Sequence, residues 1–244
     1  MNTLALDSSG LTAAVAVMTD GKLAAEYTVN NKKTHSQTLL PMIDEVMKAA
    51  GIEPKQLDCI AVSRGPGSFT GLRIGSATAK GLGLALNIPV AEVSSLDALA
   101  YNLYGNEGCI ICPIMDARRQ EVYTAAYEFV PASDEGKTGS YEMKRIIAEK
   151  ACPLDEILEE LEKFGRKVIF NGDGVPVNRD HIVNNFKQKC AFAPETLLLQ
   201  KASSVAAIGE LIYLNGKAVS ADEHIPVYLR KSQAEREREA ENEQ

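Results

Sequence analysis

Residues 63–83 constrain the fold of this chain more than any other stretch, because a glycine-rich loop leads directly into a glycine-rich helix. The loop, SRGPGSFTG, follows an apolar run at 58–63 that has the character of a short buried strand. Small residues continue over 71–83, although each glycine within a helix costs about 1 kcal/mol relative to alanine. The pattern predicts a strand, a tight loop and a helix over 70–86, with Thr70 as its N-cap.

The loop has features of an anion site but matches neither of two common phosphate-binding patterns. A helix N-terminus attracts anions, and arginines lie on either side of this one. The candidate loop residues are Arg64, Gly65, Gly67, Thr70 and Arg73. No Gly-Lys-Ser/Thr sequence follows, which excludes a Walker A loop, and the spacing of the last glycine excludes the Rossmann pattern.

The order of predicted elements indicates an α/β fold with two lobes of mixed sheet flanked by helices. After a break at 104–108, the second half of the chain repeats the plan of the first. The predicted strands are 3–7, 11–18, 22–29, 58–63, 88–93, 109–115, 121–129, 141–148 and 168–171, and the predicted helices are 36–50, 70–86, 95–104, 154–164 and 203–214. The predicted domains are 1–104, completed by a segment near 203–231, then 105–202, with a polar loop at 131–139 and an acidic tail at 232–244.

Composition narrows the classes of function. The chain has 244 residues with 45% hydrophobic and 24% charged residues, which is enough for a sizeable core and excludes global disorder. Its net charge of −7 gives it no general attraction for nucleic acid, so we expect any RNA contact to be local or made through a partner. No uncharged apolar run reaches membrane-spanning length, and the N-terminus reads as a strand rather than a signal peptide. The five cysteines fit reduced thiols and a cytoplasmic protein.

Two strand-end turns are candidates for nucleotide binding. Asp7, Ser8 and Ser9 follow the first strand, and a turn of small hydroxyl residues can offer N–H groups to a phosphate while the aspartate holds a metal or a water. Asp116 occupies the matching position in the second half. The alternatives are an ordinary Asx-type hairpin turn at the first position and a charged hairpin tip at the second.

Two helices are candidates for a partner interface. In the helix at 36–50, Leu39, Ile43 and Met47 fall on one apolar stripe. In the glycine-rich helix, small residues let another backbone approach closely, either within the chain or on a partner. The candidate residues in this second helix are Gly71, Gly75, Thr78 and Leu82. The alternative is a helix packed tightly on its own sheet.

The sequence contains no recognisable catalytic set. His35, His181 and His224 are far apart, which removes the two-histidine zinc motifs, and there is no G-x-S-x-G elbow. Cys109 and Cys112 lie within an apolar strand, where they are expected to be core thiols. We therefore predict neither a catalytic residue nor a metal site.

Several of these segments together resemble the bacterial TsaB (YeaZ) family. The segments are Asp7-Ser8-Ser9, His35-Ser36-Gln37 with Leu39-Leu40-Pro41, Ser63 to Gly75, Met115 to Arg119 with Glu121-Val122-Tyr123, and Pro226 to Arg230. The similarity covers nearly the whole chain, and 63–75 is its most specific part.

The resemblance implies an actin-like, sugar-kinase-like (ASKHA) two-lobed fold and a non-catalytic role in making threonylcarbamoyladenosine next to the anticodon of tRNA. It implies pairing with a catalytic paralogue, TsaD, through helices of the first lobe, an ATPase partner, TsaE, and a homodimer when the chain is alone. Contact with tRNA would be indirect or through the complex, with no membrane association. No cofactor is required, and weak binding of ATP, ADP or Mg²⁺ at the cleft or the partner interface stays open.

Two other functions are compatible with the same fold. An ATP-dependent small-molecule kinase is indicated by Asp7-Ser8-Ser9 and by Asn171-Gly172-Asp173-Gly174, although the second loop is shorter than such kinases usually have. A metalloprotease, as an old "glycoprotease" label of the family suggests, requires a bound metal. The sequence departs from the paired-histidine motif of TsaD, with Asp116-Ala117-Arg118-Arg119 in the comparable region, and this argues against the label.

Overall fold

The computed structural model describes residues 1–31, 34–118, 120–132 and 140–230, and these form two five-stranded sheets with helices packed on them. The first-lobe elements are β1 (Asn2–Asp7), β2 (Ala13–Thr19), β3 (Lys22–Val29), α1 (His35–Ala50), β4 (Cys59–Gly65), α2 (Phe69–Leu86), β5 (Val90–Ser94) and α3 (Ser95–Tyr101). The elements that follow are β6 (Ile110–Asp116), β7 (Glu121–Pro131), β8 (Tyr141–Pro153), α4 (Leu154–Glu162), β9 (Val168–Asn171), α5 (Val175–Asn185), β10 (Cys190–Phe192), α6 (Glu195–Leu198) and α7 (Ala202–Leu214).

The two sheets share one topology. The first has the order β3-β2-β1-β4-β5, and the second, taken from its β8 edge, has the order β8-β7-β6-β9-β10. In both, three strands form an antiparallel meander and the remaining two run parallel to its first strand. The predicted repetition of the fold is therefore confirmed, although the two halves share no repeating sequence.

Each face of the first sheet has its own apolar core. On one face, Leu4, Val15 and Ile60 pack against α1 and α2. On the other face, α7 packs against small residues of the sheet. A Cβ on Gly209 of α7 would clash with the Ala61 side chain, so α7 lies close to the sheet. The first lobe therefore includes a helix from the far end of the chain.

The stretch Glu195–Leu214 is long and apolar enough, by length and composition alone, to cross a membrane. Half of it is buried inside the protein, and its α7 part packs on β1, β2, β4 and β5. A core helix of a soluble protein passes the same test.

Most predicted elements lie within a few residues of their observed positions, with some corrections. Ser68, not Thr70, caps α2, because its hydroxyl accepts a hydrogen bond from the Gly71 N–H and Thr70 lies inside the helix. The helices α5 and α6 and the three-residue β10 were not predicted. Residues 133–139 of the predicted polar loop and the tail at 232–244 lie outside the described residues.

Candidate functional site

Asp7, the first of the nucleotide-binding candidates, is fully buried at the end of β1. Its Oδ1 accepts hydrogen bonds from the Ser9 N–H at 2.8 Å and the Ser9 hydroxyl at 2.7 Å, and its Oδ2 accepts one from the Ser63 hydroxyl at 2.5 Å. Burial raises the pKa of Asp7, and the serine hydrogen bonds oppose this rise. The carboxyl group is therefore satisfied by the chain's own residues.

Ser8 is buried in the same turn and faces α2. Its hydroxyl donates a hydrogen bond of 2.8 Å to the Gly71 carbonyl. A Cβ on Gly71 would clash with the Ser8 carbonyl oxygen, and one on Gly75 would lie 2.5 Å from the Ser8 hydroxyl. Gly71 and Gly75 therefore pack α2 against the first turn, and the prediction that they contact a partner is wrong.

The predicted stripe on α1 is also internal. Leu39, Ile43 and Met47 are buried in the core above the first sheet, because α1 turns this face toward β2 and β3. These three residues do not offer a free surface to a partner. Of the predicted interface residues, only Thr78 and Leu82 are partly exposed.

The outer face of α2 does carry a small and apolar surface, which we call the α2 outer face. Its members are exposed, uncharged and on one side of the helix. They are Ala77, Gly81, Leu84 and Ala85. Leu84 is 59% exposed, and Leu40, on the neighbouring helix α1, is 57% exposed. Exposed helix faces are normally polar, so this surface is unusual.

The loop between β4 and α2 is held by residues 221–230, which we call the C-terminal strap. The Val227 N–H donates a hydrogen bond of 2.7 Å to the Arg64 carbonyl. Gly65 has φ +119°, and a Cβ there would clash with the Val227 carbonyl oxygen. The strap therefore follows the loop closely, and Gly65 is required for this approach.

Aromatic and charged side chains complete this contact. The Phe69 and Tyr228 rings stack with centroids 4.6 Å apart, and Arg73 Nε donates to the Tyr228 hydroxyl at 3.3 Å. Lys80 Nζ donates to the strap carbonyls of Asp222 and His224. The two charged side chains of α2 thus both contact the strap.

The strap also contacts β5 and the second lobe. His224 Nδ1 lies 2.7 Å from Oε1 of Glu92 in β5. In the second lobe, Arg230 Nη1 donates to the Ala117 carbonyl at 2.7 Å and pairs with Glu121 at 2.7 Å. The sequence motif at 226–230 was noted, but its contacts could not be predicted, because its partners lie more than 100 residues away in the chain.

The second candidate turn differs from the first. Asp116 is exposed, its Oδ1 accepts from the Arg118 N–H at 2.7 Å, and its own N–H donates to Asp173 Oδ1 at 3.2 Å. The pKa of Asp173 is raised to about 6, chiefly by burial and in smaller part by the negative charges of Asp116 and Asp7. Asp173 was not among the predicted site residues; its place after a strand in a glycine-containing turn was the available signal.

Within the described residues, no three His, Cys, Asp or Glu side chains lie close enough together to hold a metal ion. Cys109 is partly exposed and Cys112 is buried, and burial raises the pKa of Cys112 to about 12.

The duplicated sheet, with helices packed on both copies, defines a two-lobed protein of the actin-like, sugar-kinase-like (ASKHA) class. Comparisons with known proteins are more specific. A family model for TsaD, tRNA N6-adenosine threonylcarbamoyltransferase, matches residues 22–238.

Among curated proteins, the chain is 33% identical to the tRNA threonylcarbamoyladenosine biosynthesis protein TsaB of Bacillus subtilis, covering 96% of both chains. It is 30% identical to TsaB of Haemophilus influenzae, covering 93% of this chain and 92% of that one. The solved structure of YeaZ from Pseudomonas aeruginosa matches with a TM-score of 0.74 and 28% identity, covering 93% of this chain and 99% of that one. The chain belongs to the TsaB (YeaZ) family.

Proposed function

We propose that this chain is a non-catalytic cytoplasmic subunit of the system that makes threonylcarbamoyladenosine in tRNA. In this proposal it pairs with a TsaD-type catalytic subunit, which transfers the threonylcarbamoyl group to the adenosine next to the anticodon. A TsaE-type ATPase joins the pair, and tRNA contacts this chain indirectly. Relatives named for threonylcarbamoyladenosine biosynthesis support the system, while the specific partners are part of the proposal.

The observation that carries the proposal is the α2 outer face. Its exposed surface of Ala77, Gly81, Leu84 and Ala85 has no charged side chain, and Gly81 has no neighbouring atom within 4 Å of a Cβ position. Such a surface allows close approach of a partner helix, and the neighbouring helix α1 also exposes an apolar side chain, Leu40. A pair of helices from each partner would then bury a patch of standard size. In the absence of the partner, the same face would close on a second copy as a symmetric homodimer.

The first turn supports a non-catalytic role. Asp7 is fully buried, and Ser9 and Ser63 occupy both of its oxygens. A carboxyl group in this state is poorly placed to hold a metal or to activate a water. The proposal therefore requires no cofactor in this chain, and any weak binding of ATP, ADP or Mg²⁺ would lie elsewhere in the cleft or at the partner interface.

The deciding experiment is reconstitution from purified components. We expect the chain alone to form no threonylcarbamoyladenosine on tRNA, and the TsaD-type subunit with the ATPase to need this chain for full activity. Product formed by the chain alone, or full activity without it, would overturn the proposal.

Calorimetry of the isolated chain with ATP distinguishes the proposed non-catalytic subunit from the alternative, an ATP-dependent small-molecule kinase. Micromolar binding accompanied by phosphoryl transfer to a small molecule would favour the kinase. Stoichiometric metal in the purified protein would favour a metalloprotease. Neither result is expected.

A further inference from the structure

Residues 198–200 connect the strand-end turns of the two lobes. The Leu198 carbonyl accepts a hydrogen bond of 2.7 Å from the Gly172 N–H in the second-lobe turn. Asn102 Nδ2 donates to the Leu197 carbonyl at 3.3 Å and to the Leu199 carbonyl at 2.9 Å. The backbone of this segment is therefore fixed by the second-lobe turn and by Asn102, the residue that follows α3.

Gln200, the next residue, places its side chain on the first-lobe turn. It is only 1% exposed, and a Cβ on Gly10 would clash with all three terminal atoms of its carboxamide. The Thr12 hydroxyl contacts Gln200 Oε1 and the Gln200 carbonyl, both at 3.5 Å. Gln200 Nε2 is buried and has no hydrogen-bond partner among the described residues. An unsatisfied donor of this kind is costly, so packing on Gly10 and the long Thr12 contact at Oε1 hold the carboxamide in place despite that cost.

The Asp7–Thr12 turn beneath Gln200 is also held by contacts that do not involve Gln200. The Ser68 N–H donates to the Ser9 carbonyl at 2.8 Å, and His35 Nε2 lies 3.0 Å from the Gly10 carbonyl oxygen. The N-terminal turn of α2 packs on Ser8, which brings the positive end of an 18-residue helix to the same place. The turn would therefore keep its shape, and the N-terminus of α2 its place beside it, if the Gln200 side chain were absent.

We propose that the Gln200 carboxamide blocks the Asp7–Thr12 turn. It covers Gly10 and so keeps phosphate-type anions out of the cleft. This inference concerns the isolated chain and does not depend on the identity of its partners. Its failure would leave the proposed role in tRNA modification standing, because that role is tested in the assembled system.

Three variants test this occupancy. Gln200→Ala removes the carboxamide, and Gly10→Ala displaces it, since the Gly10 backbone does not lie in the left-handed region and accepts a Cβ. Gln200→Met keeps a side chain of similar length without the polar group and serves as the matched control. The probe is inorganic pyrophosphate with Mg²⁺, which neutralises part of the pyrophosphate charge, and the readout is isothermal titration calorimetry.

We expect no binding to the wild-type chain or to Gln200→Met, and millimolar or tighter binding to both Gln200→Ala and Gly10→Ala. The melting temperature of the double variant should match that of Gln200→Ala, because Gly10→Ala has no carboxamide left to displace. If folded Gln200→Ala and Gly10→Ala proteins show no pyrophosphate binding, or if the wild-type chain binds pyrophosphate equally well, the inference is wrong.

Discussion

At the scale of single residues, the buried carboxyl group of Asp7 and the partly buried one of Asp173 show how surroundings decide a role. Asp7 has hydrogen bonds from Ser9 and Ser63, whereas Asp173 has a backbone bond from Asp116 and lies near two other negative charges. The sequence predicted the position of Asp7 at the end of a strand. Its burial could not be predicted, because Ser63 approaches it from 56 residues away in the chain.

The titration of Asp173 gives a testable pH dependence of stability. Its pKa of about 6 in the folded protein lies above its ordinary value of 3.8, so the folded state binds the proton more tightly. The resulting stabilisation is fully present below pH 3.8 and is lost as the pH rises through about 6. Asp173→Asn keeps an oxygen for the Asp116 N–H, removes the partly buried charge and should raise the free energy of unfolding at pH 7 by up to about 3 kcal/mol.

Urea unfolding of both proteins between pH 4 and pH 7.5 measures this effect. The gain from Asp173→Asn should shrink as the pH is lowered through 6. The exposed Asp180, in the same lobe, is the control, and Asp180→Asn should change the free energy of unfolding by less than about 0.5 kcal/mol. If the gain in the free energy of unfolding from Asp173→Asn does not vary with pH, the raised pKa of Asp173 is contradicted.

At the scale of elements, α2 explains both the success and the failure of the sequence prediction. The glycine pattern correctly indicated close backbone approach, but periodicity alone does not tell which side of a helix meets the chain's own backbone. Gly71 and Gly75 meet Ser8, while Gly81 faces open space. The interface was therefore assigned partly to residues that pack internally.

Two alanine substitutions in α2 test this division. Gly71→Ala brings a Cβ against the Ser8 backbone carbonyl, which is not free to move, and should lower the free energy of unfolding by about 2–3 kcal/mol. Gly81→Ala adds a Cβ in open space and should be neutral or stabilising by up to about 1 kcal/mol. Chemical denaturation of the isolated chain measures both values, and similar losses for the two variants would contradict the described packing.

A substitution in the C-terminal strap tests whether its contacts with the β4–α2 loop and α2 stabilise the protein. Tyr228→Ala removes the stack on Phe69 and the acceptor of Arg73, and should cost about 1–2 kcal/mol. We also expect faster hydrogen exchange at the Val227 N–H, which now bonds the Arg64 carbonyl. Ile225, 67% exposed in the same strap, provides the control substitution Ile225→Ala, and equal exchange rates in the two variants would contradict this role.

At the scale of the whole molecule, the duplicated α/β architecture was predictable because both halves carry strong strand and helix patterns. The segment at 175–198 was not, because α5 lacks a single apolar stripe and β10 has only three residues. These elements complete the second sheet and lead to Gln200. The position of the Gln200 side chain in the cleft could therefore not be predicted from the sequence. Which groups fill a cleft depends on long-range contacts that local patterns do not contain.

The most direct measurement of the central claim is the rate of threonylcarbamoyladenosine formation on tRNA in the reconstituted system, with two substitutions compared. Asp7→Asn leaves an acceptor for the Ser9 N–H, so the account predicts a rate close to that of the wild type. Leu84→Glu places a charge on the α2 outer face and should lower the rate at least about tenfold, because burying an unpaired charge at an interface costs several kcal/mol. Leu214→Glu, 70% exposed on α7, is the matched control and should have no effect. Loss of activity in Asp7→Asn together with full activity in Leu84→Glu would contradict the account.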